Sequence, residues 1–312
     1  MKVHGDAQVN VALKAMKDEF DRLHAKFRTV SVSHIPEIKD EITGWTKQGM
    51  IQPAFYDENY GLFKFDSTQI PPEARSLIII AIPQGITTLD FRLHGQSHLT
   101  MIPPTYPYSR LRATCQEILT RIFSSSRNTV VKAGVPFKLL TVRSGLGRYG
   151  KNNICYVEGM GSFHRLEAFY TDFPGLPDAW QPKEALEQCT ACTRCMQACP
   201  TQAITNDRFL IHADRCLTYF NENEWDFPHW IPPHAHNALV GCLRCQFACP
   251  LNHAYVKPRG DTVVFTEEET RAILEKTPWE KLETSLADKI RQLDMDGYYS
   301  LLARNLAVLI SG

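Results

Sequence analysis

The sequence predicts an α/β (α+β) body, interrupted by an inserted cysteine-rich domain and followed by a helical C-terminal tail. Three observations predict it. The run Leu77-Ile78-Ile79-Ile80-Ala81-Ile82, ended by Pro83, reads as a buried central strand. Eight of the ten cysteines crowd between Cys189 and Cys249, where no long periodic pattern persists. After residue 260 the apolar spacing returns to that of helices.

The elements follow in order. Val9, Leu13, Met16, Phe20, Leu23 and Phe27 fall in steps of three and four, one stripe of an amphipathic helix. Residues 35–48 predict a second helix. Residues 84–107 are rich in polar residues and proline and predict an irregular loop. Arg110 to Phe123 predicts a helix, Phe137 to Val142 a strand, and 143–153 a glycine-rich turn. Ile154 to Val157 and residues 164–171 predict further strands. Thr266 with Glu269 predicts a capping box, and the apolar positions from Leu282 to Ile310 predict helices packed on the main body. The expected organisation is a helical or mixed region over 1–69, an α/β domain over 70–180, a cysteine domain over 181–258 and C-terminal helices over 259–312.

Lys+Arg and Asp+Glu are both 34 in 312 residues, so the formal net charge is zero. That balance gives no general pull toward nucleic acid or an anionic membrane. The N-terminus, MKVHGDAQVN, has no apolar signal region, and no apolar run is long enough to span a bilayer. The expected compartment is the cytoplasm, with no membrane partner. Ten cysteines in a reducing compartment point to metal rather than disulfides.

The cysteine spacing is specific. Cys189-x2-Cys192-x2-Cys195-x3-Cys199-Pro200 is followed by Cys216 and by Cys242-x2-Cys245-x3-Cys249-Pro250. Three thiolates at that spacing wrap one [4Fe–4S] cluster, while the Cys-Pro thiolate ligates the other. The expected sets are Cys189, Cys192, Cys195 and Cys249 for one cluster, and Cys199, Cys216, Cys242 and Cys245 for the other. Zinc is the rival, since Cys-x2-Cys pairs also suit a tetrahedral ion. Cys115 and Cys155 lie outside the motifs and read as buried structural thiols.

Arg143-Ser144-Gly145-Leu146-Gly147-Arg148-Tyr149-Gly150-Lys151-Asn152-Asn153 is the second informative stretch. Its glycines permit positive φ and close backbone approach, and its cations suit an anion. It runs into a strand rather than opening a helix, which excludes a dinucleotide-binding reading.

GLGxxGKN, the Gly161-Ser162 turn and the eight-cysteine block together resemble the epoxyqueuosine reductase family, which is related to the core of reductive dehalogenases. Ala74 to Ile79, Arg215-Cys216-Leu217-Thr218-Tyr219, Gly241-Cys242 and Arg304-Asn305-Leu306-Ala307 extend the resemblance over roughly residues 70–312. It implies a cobalamin-binding α/β domain joined to a double-cluster ferredoxin-like domain, with electrons passing from the clusters to cobalt. Arg143, Gly145, Gly147, Gly150, Lys151, Asn152 and Ser162 would then contact cobalamin. The family places an acid before the glycine-rich loop, whereas Gly134-Val135-Pro136-Phe137-Lys138-Leu139-Leu140-Thr141 has none. Candidate replacement proton donors are Tyr149, Tyr108 and Tyr106, by similarity to the tyrosine of reductive dehalogenases. Lys138 stands at the site of the missing acid, and His234 and His236 precede the second motif.

Three functions follow. The leading expectation is a cobalamin-dependent iron–sulfur oxidoreductase acting on a small molecule, fed by a donor such as ferredoxin or flavodoxin. The second is an electron-transfer protein that reduces a partner corrinoid protein. The third is an epoxyqueuosine reductase acting on tRNA.

Overall fold

Pro83 cannot continue a ladder as a donor, and the six apolar residues before it have no polar face to give to water. They form a strand buried along its whole length. The computed structural model describes residues 2–59, 63, 65, 70–124 and 126–311. In chain order its main elements are α1 (Lys2–Arg22), β1 (Lys26–Ser31), α2 (Ile35–Lys47), α3 (Pro53–Asn59), β2 (Ser76–Pro83), β3 (Thr87–Leu93), β4 (Gln96–Ile102), α4 (Ser109–Ser124), β5 (Val130–Lys132), α5 (Phe137–Arg143), β6 (Arg148–Tyr149), β7 (Cys155–Tyr156), β8 (His164–Thr171), α6 (Arg194–Gln197), α7 (Leu217–Asn221), α8 (Arg244–Phe247), β9 (Val263–Phe265), α9 (Glu267–Leu274), α10 (Thr284–Gln292) and α11 (Tyr299–Ser311). They divide into two units: Met1–Pro83 with Arg110–Ala191, and Gln84–Ser109 with Cys192–Gly312. The expected boundary at 69/70 falls beside residues 66–69, outside the described residues.

The first unit is built on an antiparallel sheet of order β1-β2-β8-β5. Alternate residues of β2 face opposite sides, so Ile78, Ile80 and Ile82 pack with Met16 and Phe20 of α1 and with Cys115, Leu119 and Phe123 of α4. On that face Glu167 is fully buried in β8, held by Arg112 of α4 at 2.9 Å and by Arg165 at 2.9 Å. A buried carboxylate is tolerated there because two guanidinium groups satisfy it.

The second unit contains a sheet of order β4-β3-β9, with β3 and β4 antiparallel and β9 parallel to β3. Phe91 and Phe265 stack across it at 4.4 Å. Ile273 of α9, Ile290 of α10 and Leu302 and Leu306 of α11 complete its core. Among the described residues, no helix is long and apolar enough to cross a membrane.

The helices expected at 35–48 and 110–123, the strand at 164–171 and the Thr266–Glu269 capping box are present. Three expectations are corrected. The stretch 84–107 holds the β3–β4 hairpin: His94 (φ 51°) and Gly95 (φ 73°) form its two-residue turn, and the polar Asp90 is buried because Ser97 and Arg92 bond it. Phe137 to Val142 is helix α5, whose Leu139, Leu140, Thr141 and Val142 are all buried, so its β-branched residues mimic a strand. The first helix ends at Arg22, and Phe27 belongs to β1.

Candidate metal centre and glycine-rich loop

The two Cys-x2-Cys loops of the second unit repeat one backbone design. Cys192 and Cys242 each precede a residue in the same conformation, Thr193 at φ −122°, ψ 5° and Leu243 at φ −119°, ψ 1°. Each loop then enters one helical turn, α6 carrying Cys195 and α8 carrying Cys245. After those turns the Cys-Pro residues match as well. The Cys199 amide donates to the Met196 carbonyl at 3.2 Å, and the Cys249 amide to Gln246 at 3.3 Å. Backbone amides also point at sulfur: Ala203 N–H donates to Cys199 Sγ at 3.3 Å.

Cys216 caps α7 and completes a group. Burial pushes the Cys242 thiol up to about 12, and the nearby Cys216 and Cys199 add to the shift. Burial likewise raises Cys245 well above the ordinary range, reinforced by Cys242, Cys216, Cys199 and Cys195. Cys216 is raised by burial and by Cys199 and Glu222. The structure thus brings Cys199, Cys216, Cys242 and Cys245 close enough for their charges to oppose one another. Four such thiols deprotonate together only around a cationic centre, which is what a cluster supplies. This donor set fits an iron–sulfur cluster. Among the described residues, no three His, Cys, Asp or Glu converge tightly enough to hold a single metal ion. Cys192, Cys195 and Cys249 also lie in the second unit, whereas Cys189 ends a turn in the first. Cys115 and Cys155 are buried, and burial pushes both up to about 12, as expected of structural thiols.

The tail braces this group. Asn305, fully buried in α11, donates to the carbonyls of Asn221 and Leu239, each at 2.9 Å. Arg304 donates to the Phe220 carbonyl at 2.9 Å and to that of Trp225. The Arg-Asn pair is thus a staple on the end of α7, the helix that begins at Cys216. The sequence showed the pair but not what it grips.

The glycine-rich loop is engaged within its own unit. Gly145 (φ 70°) ends α5: its amide bonds the Val142 carbonyl while the Leu146 amide bonds Thr141, a Schellman cap. A Cβ on Gly147 would meet Cys155 Sγ at 2.6 Å and the Tyr156 carbonyl at 2.8 Å. One on Gly150 would meet the Tyr156 ring at 2.6 Å. Asn152 is buried and donates to the Tyr156 hydroxyl at 3.1 Å, and Lys151 reaches the Thr190 carbonyl at 3.4 Å. Arg143 lies over the Trp180 ring, 4.7 Å from its centroid, and faces Glu37 and Glu41. Ser162 is buried. These residues fit a tight internal turn.

The candidate proton donors fall in different units. Tyr149 is buried in β6 of the first unit, while Tyr106 and Tyr108 lie in the second. The Tyr106 hydroxyl donates to Glu222. Burial, reinforced by the Glu222 carboxylate, pushes its pKa well above the ordinary phenol value. Tyr108 is half-buried, and its amide donates to Asp294 at 2.7 Å. Lys138 is exposed on α5 and reaches the Asn153 carbonyl at 3.4 Å.

Residues 188–252 match the 4Fe-4S double cluster binding domain family. An epoxyqueuosine reductase of Cyclobacterium marinum is 32% identical over 181 residues, covering 58% of this chain and 54% of that protein. Another, of Cellulophaga algicola, is 24% identical over 257 residues and covers 80% of each. Across several of these relatives the match spans only about half of their length. The structure of epoxyqueuosine reductase from Streptococcus thermophilus superposes with a TM-score of 0.68 at 16% identity, covering 97% of this chain and 81% of that one. A crystal structure of an epoxyqueuosine reductase with a tRNA-Tyr epoxyqueuosine-modified stem loop gives 0.62 at 17% identity, covering 92% and 77%. The chain is thus similar in sequence and in fold to epoxyqueuosine reductases, and its residues 188–252 match a double 4Fe-4S cluster domain.

Proposed function

We propose that the chain is an iron–sulfur reductase of the epoxyqueuosine reductase kind, acting on an epoxide-bearing nucleoside of tRNA. Cys199, Cys216, Cys242 and Cys245 hold one [4Fe–4S] cluster, and Cys189, Cys192, Cys195 and Cys249 hold the other. The observation that carries the reading is the grouping of Cys199, Cys216 and Cys242 around Cys245, whose loop is repeated in backbone design by the one around Cys195. The similarity to epoxyqueuosine reductases, one of them solved with a tRNA stem loop, supports tRNA over the small-molecule substrate that the acid-free segment 134–141 suggests. Cobalamin, the cofactor that the resemblance implies, supplies a low-valent cobalt reductant when bound. The side chains of 143–153 are assigned to shaping their own loop rather than to gripping it. A donor of the ferredoxin or flavodoxin class supplies the electrons.

A second reading has its own observation. Residues 134–141 carry no carboxylate, and their only titratable side chain, Lys138, is exposed. That favours a different substrate, a small molecule or a partner corrinoid protein. One experiment separates the two readings. Anaerobic protein carrying about eight iron and eight sulfide is mixed with cobalamin, a reductant and an epoxyqueuosine-containing tRNA stem loop. The expected result is conversion to queuosine, slowed by about 10²- to 10⁴-fold relative to a relative that has the acid. Cobalt reduction without conversion supports the second reading. Stoichiometric zinc, or about four iron, overturns the cluster assignment.

A further inference from the structure

His236 is buried, only 7% exposed, yet neither ring nitrogen has a hydrogen-bond partner. Leaving a buried polar nitrogen unpaired costs about 1–3 kcal/mol, so native structures rarely leave one so. The partner of His236 therefore comes from outside the polypeptide.

Its position says which partner. His236 follows the turn Pro233–Ala235, and three hydrogen bonds tie this stretch to the cysteine loop. Arg244 Nε donates to the Ala235 carbonyl at 3.4 Å, and Arg244 Nη2 to that of His234 at 2.5 Å. The Leu243 amide donates to Asn237 Oδ1 at 3.3 Å. The residues doing the tying lie between Cys242 and Cys245. The His236 ring meets Phe227 edge-on at 4.4 Å, and Phe227 packs with Cys242 in one apolar cluster with Leu217 and Phe220. An imidazole with no hydrogen-bond partner is thus tied to the loop that carries Cys242 and Cys245. It bonds none of the cysteine sulfurs, and the inorganic sulfide of a cluster held by that loop is an acceptor of the right kind.

We propose that a ring N–H of His236 donates a hydrogen bond to the [4Fe–4S] cluster held by Cys199, Cys216, Cys242 and Cys245, and so makes that cluster easier to reduce. The inference rests on the cluster assignment proposed above. One electron enters from the external donor, the cluster passes from its oxidised to its one-electron-reduced state, and the imidazole keeps its proton. The bond strengthens as negative charge builds on sulfide, so it favours the reduced state. Outer hydrogen bonds of this kind tune a metal centre without touching the metal.

The test uses the full chain, reconstituted anaerobically, as wild type, His236→Leu and His236→Gln. Iron and sulfide are measured first, and a wild type without two clusters overturns the functional reading and this inference together. With both clusters present, pulsed EPR of the reduced, ¹⁵N-histidine-labelled protein is compared before and after exchange into D₂O. The expected wild-type result is a histidine nitrogen coupling and an exchangeable-proton coupling, both absent from His236→Leu. An EPR-monitored titration of that variant should show reduction disfavoured about tenfold, which is about 59 mV for a one-electron couple. His236→Gln, whose amide also donates, should recover most of the shift. If His236→Leu fails to assemble, the wild-type couplings and the glutamine variant decide. Absent couplings in the wild type, or a reduction equilibrium unchanged within twofold in an assembled His236→Leu, overturn the proposal and leave a buried water as the partner.

Discussion

Gly147→Ala separates two roles for the glycine-rich loop, an internal turn and a surface for a corrin. The new Cβ would stand 2.6 Å from Cys155 Sγ, 2.8 Å from the Tyr156 carbonyl and 3.3 Å from Thr141 Cγ2. Neither of the two closer atoms yields easily. Cys155 is 1% exposed, and the Tyr156 backbone is fixed by pairing with Arg148. Overpacking of this kind costs about 1–3 kcal/mol, and two contacts below 3.0 Å put it near the top of that range. Gly147 does not have positive φ, so alanine also restricts the unfolded chain, which returns about 0.4–1 kcal/mol. The net expectation is a loss of about 2 kcal/mol in the first unit. Cys155→Ala removes one of the two close contacts and leaves the carbonyl, so the double variant should recover about 1 kcal/mol as a coupling between neighbours. The assay is urea unfolding of the first unit, followed by tryptophan fluorescence, with and without hydroxocobalamin. The internal-turn argument requires the loss in the absence of cobalamin. If Gly147→Ala keeps its urea midpoint and instead loses cobalamin affinity, the glycine serves the ligand and the reasoning fails.

Asn305→Ala should cost about 3 kcal/mol in the second unit, because the carbonyls of Asn221 and Leu239 lose their buried donor. It should also speed iron loss to a chelator, and an unchanged urea midpoint with unchanged iron loss would refute the staple. His34 provides a pH dependence: it stacks on Trp180 and bonds Glu37 at 2.5 Å and Asp178 at 2.8 Å. Partial burial pulls its pKa down, but the bonds to Glu37 and Asp178 outweigh it, and the net value lies above 6.5. The stabilisation is therefore complete below the unfolded value of 6.5 and fades as pH rises through the raised folded value. The difference in urea midpoint between wild type and His34→Gln should be largest near pH 6 and vanish at alkaline pH, and a difference that grows at alkaline pH would contradict the linkage.

What the sequence made legible follows from which interactions are local. The strand at Ser76–Pro83 was readable because a β-strand buried on both faces leaves a continuous apolar run. The capping box at Thr266 and Glu269 closes within four residues, and both of its bonds form. The β3–β4 hairpin was hidden because His94 occupies a turn position usually given to asparagine or glycine, and because the buried Asp90 is satisfied only by its cross-strand neighbourhood. Helix α5 was mistaken for a strand because it is buried on nearly every side and lacks an amphipathic stripe. In the site, the Cys-x2-Cys steps and the two Cys-Pro steps carried the thiol grouping, because short loops turn neighbouring sulfurs inward. The staple of Arg304 and Asn305 grips carbonyls more than 60 positions away, and a backbone carbonyl leaves no mark on sequence.

The same locality explains why proton chemistry was harder to read than electron chemistry. Tyr149 has Arg148 beside it and Lys151 two positions on, so the sequence places a phenol among cations. In β6, however, neighbouring residues point to opposite faces: Arg148 is exposed and pairs with Glu184 at 2.7 Å, while Tyr149 is buried. Lys151 reaches the Thr190 carbonyl. A cation beside a phenol stabilises the tyrosinate, but adjacency along a strand puts Arg148 on the face opposite Tyr149. Tyr106 is further from that condition, since its neighbours Glu222, Tyr298 and Cys216 all oppose ionisation. Proton transfer from Tyr106 would leave a tyrosinate beside a carboxylate in a buried site, which the raised pKa already registers as unfavourable. Of the three candidate tyrosines, Tyr106 thus has the surroundings that most oppose loss of its proton.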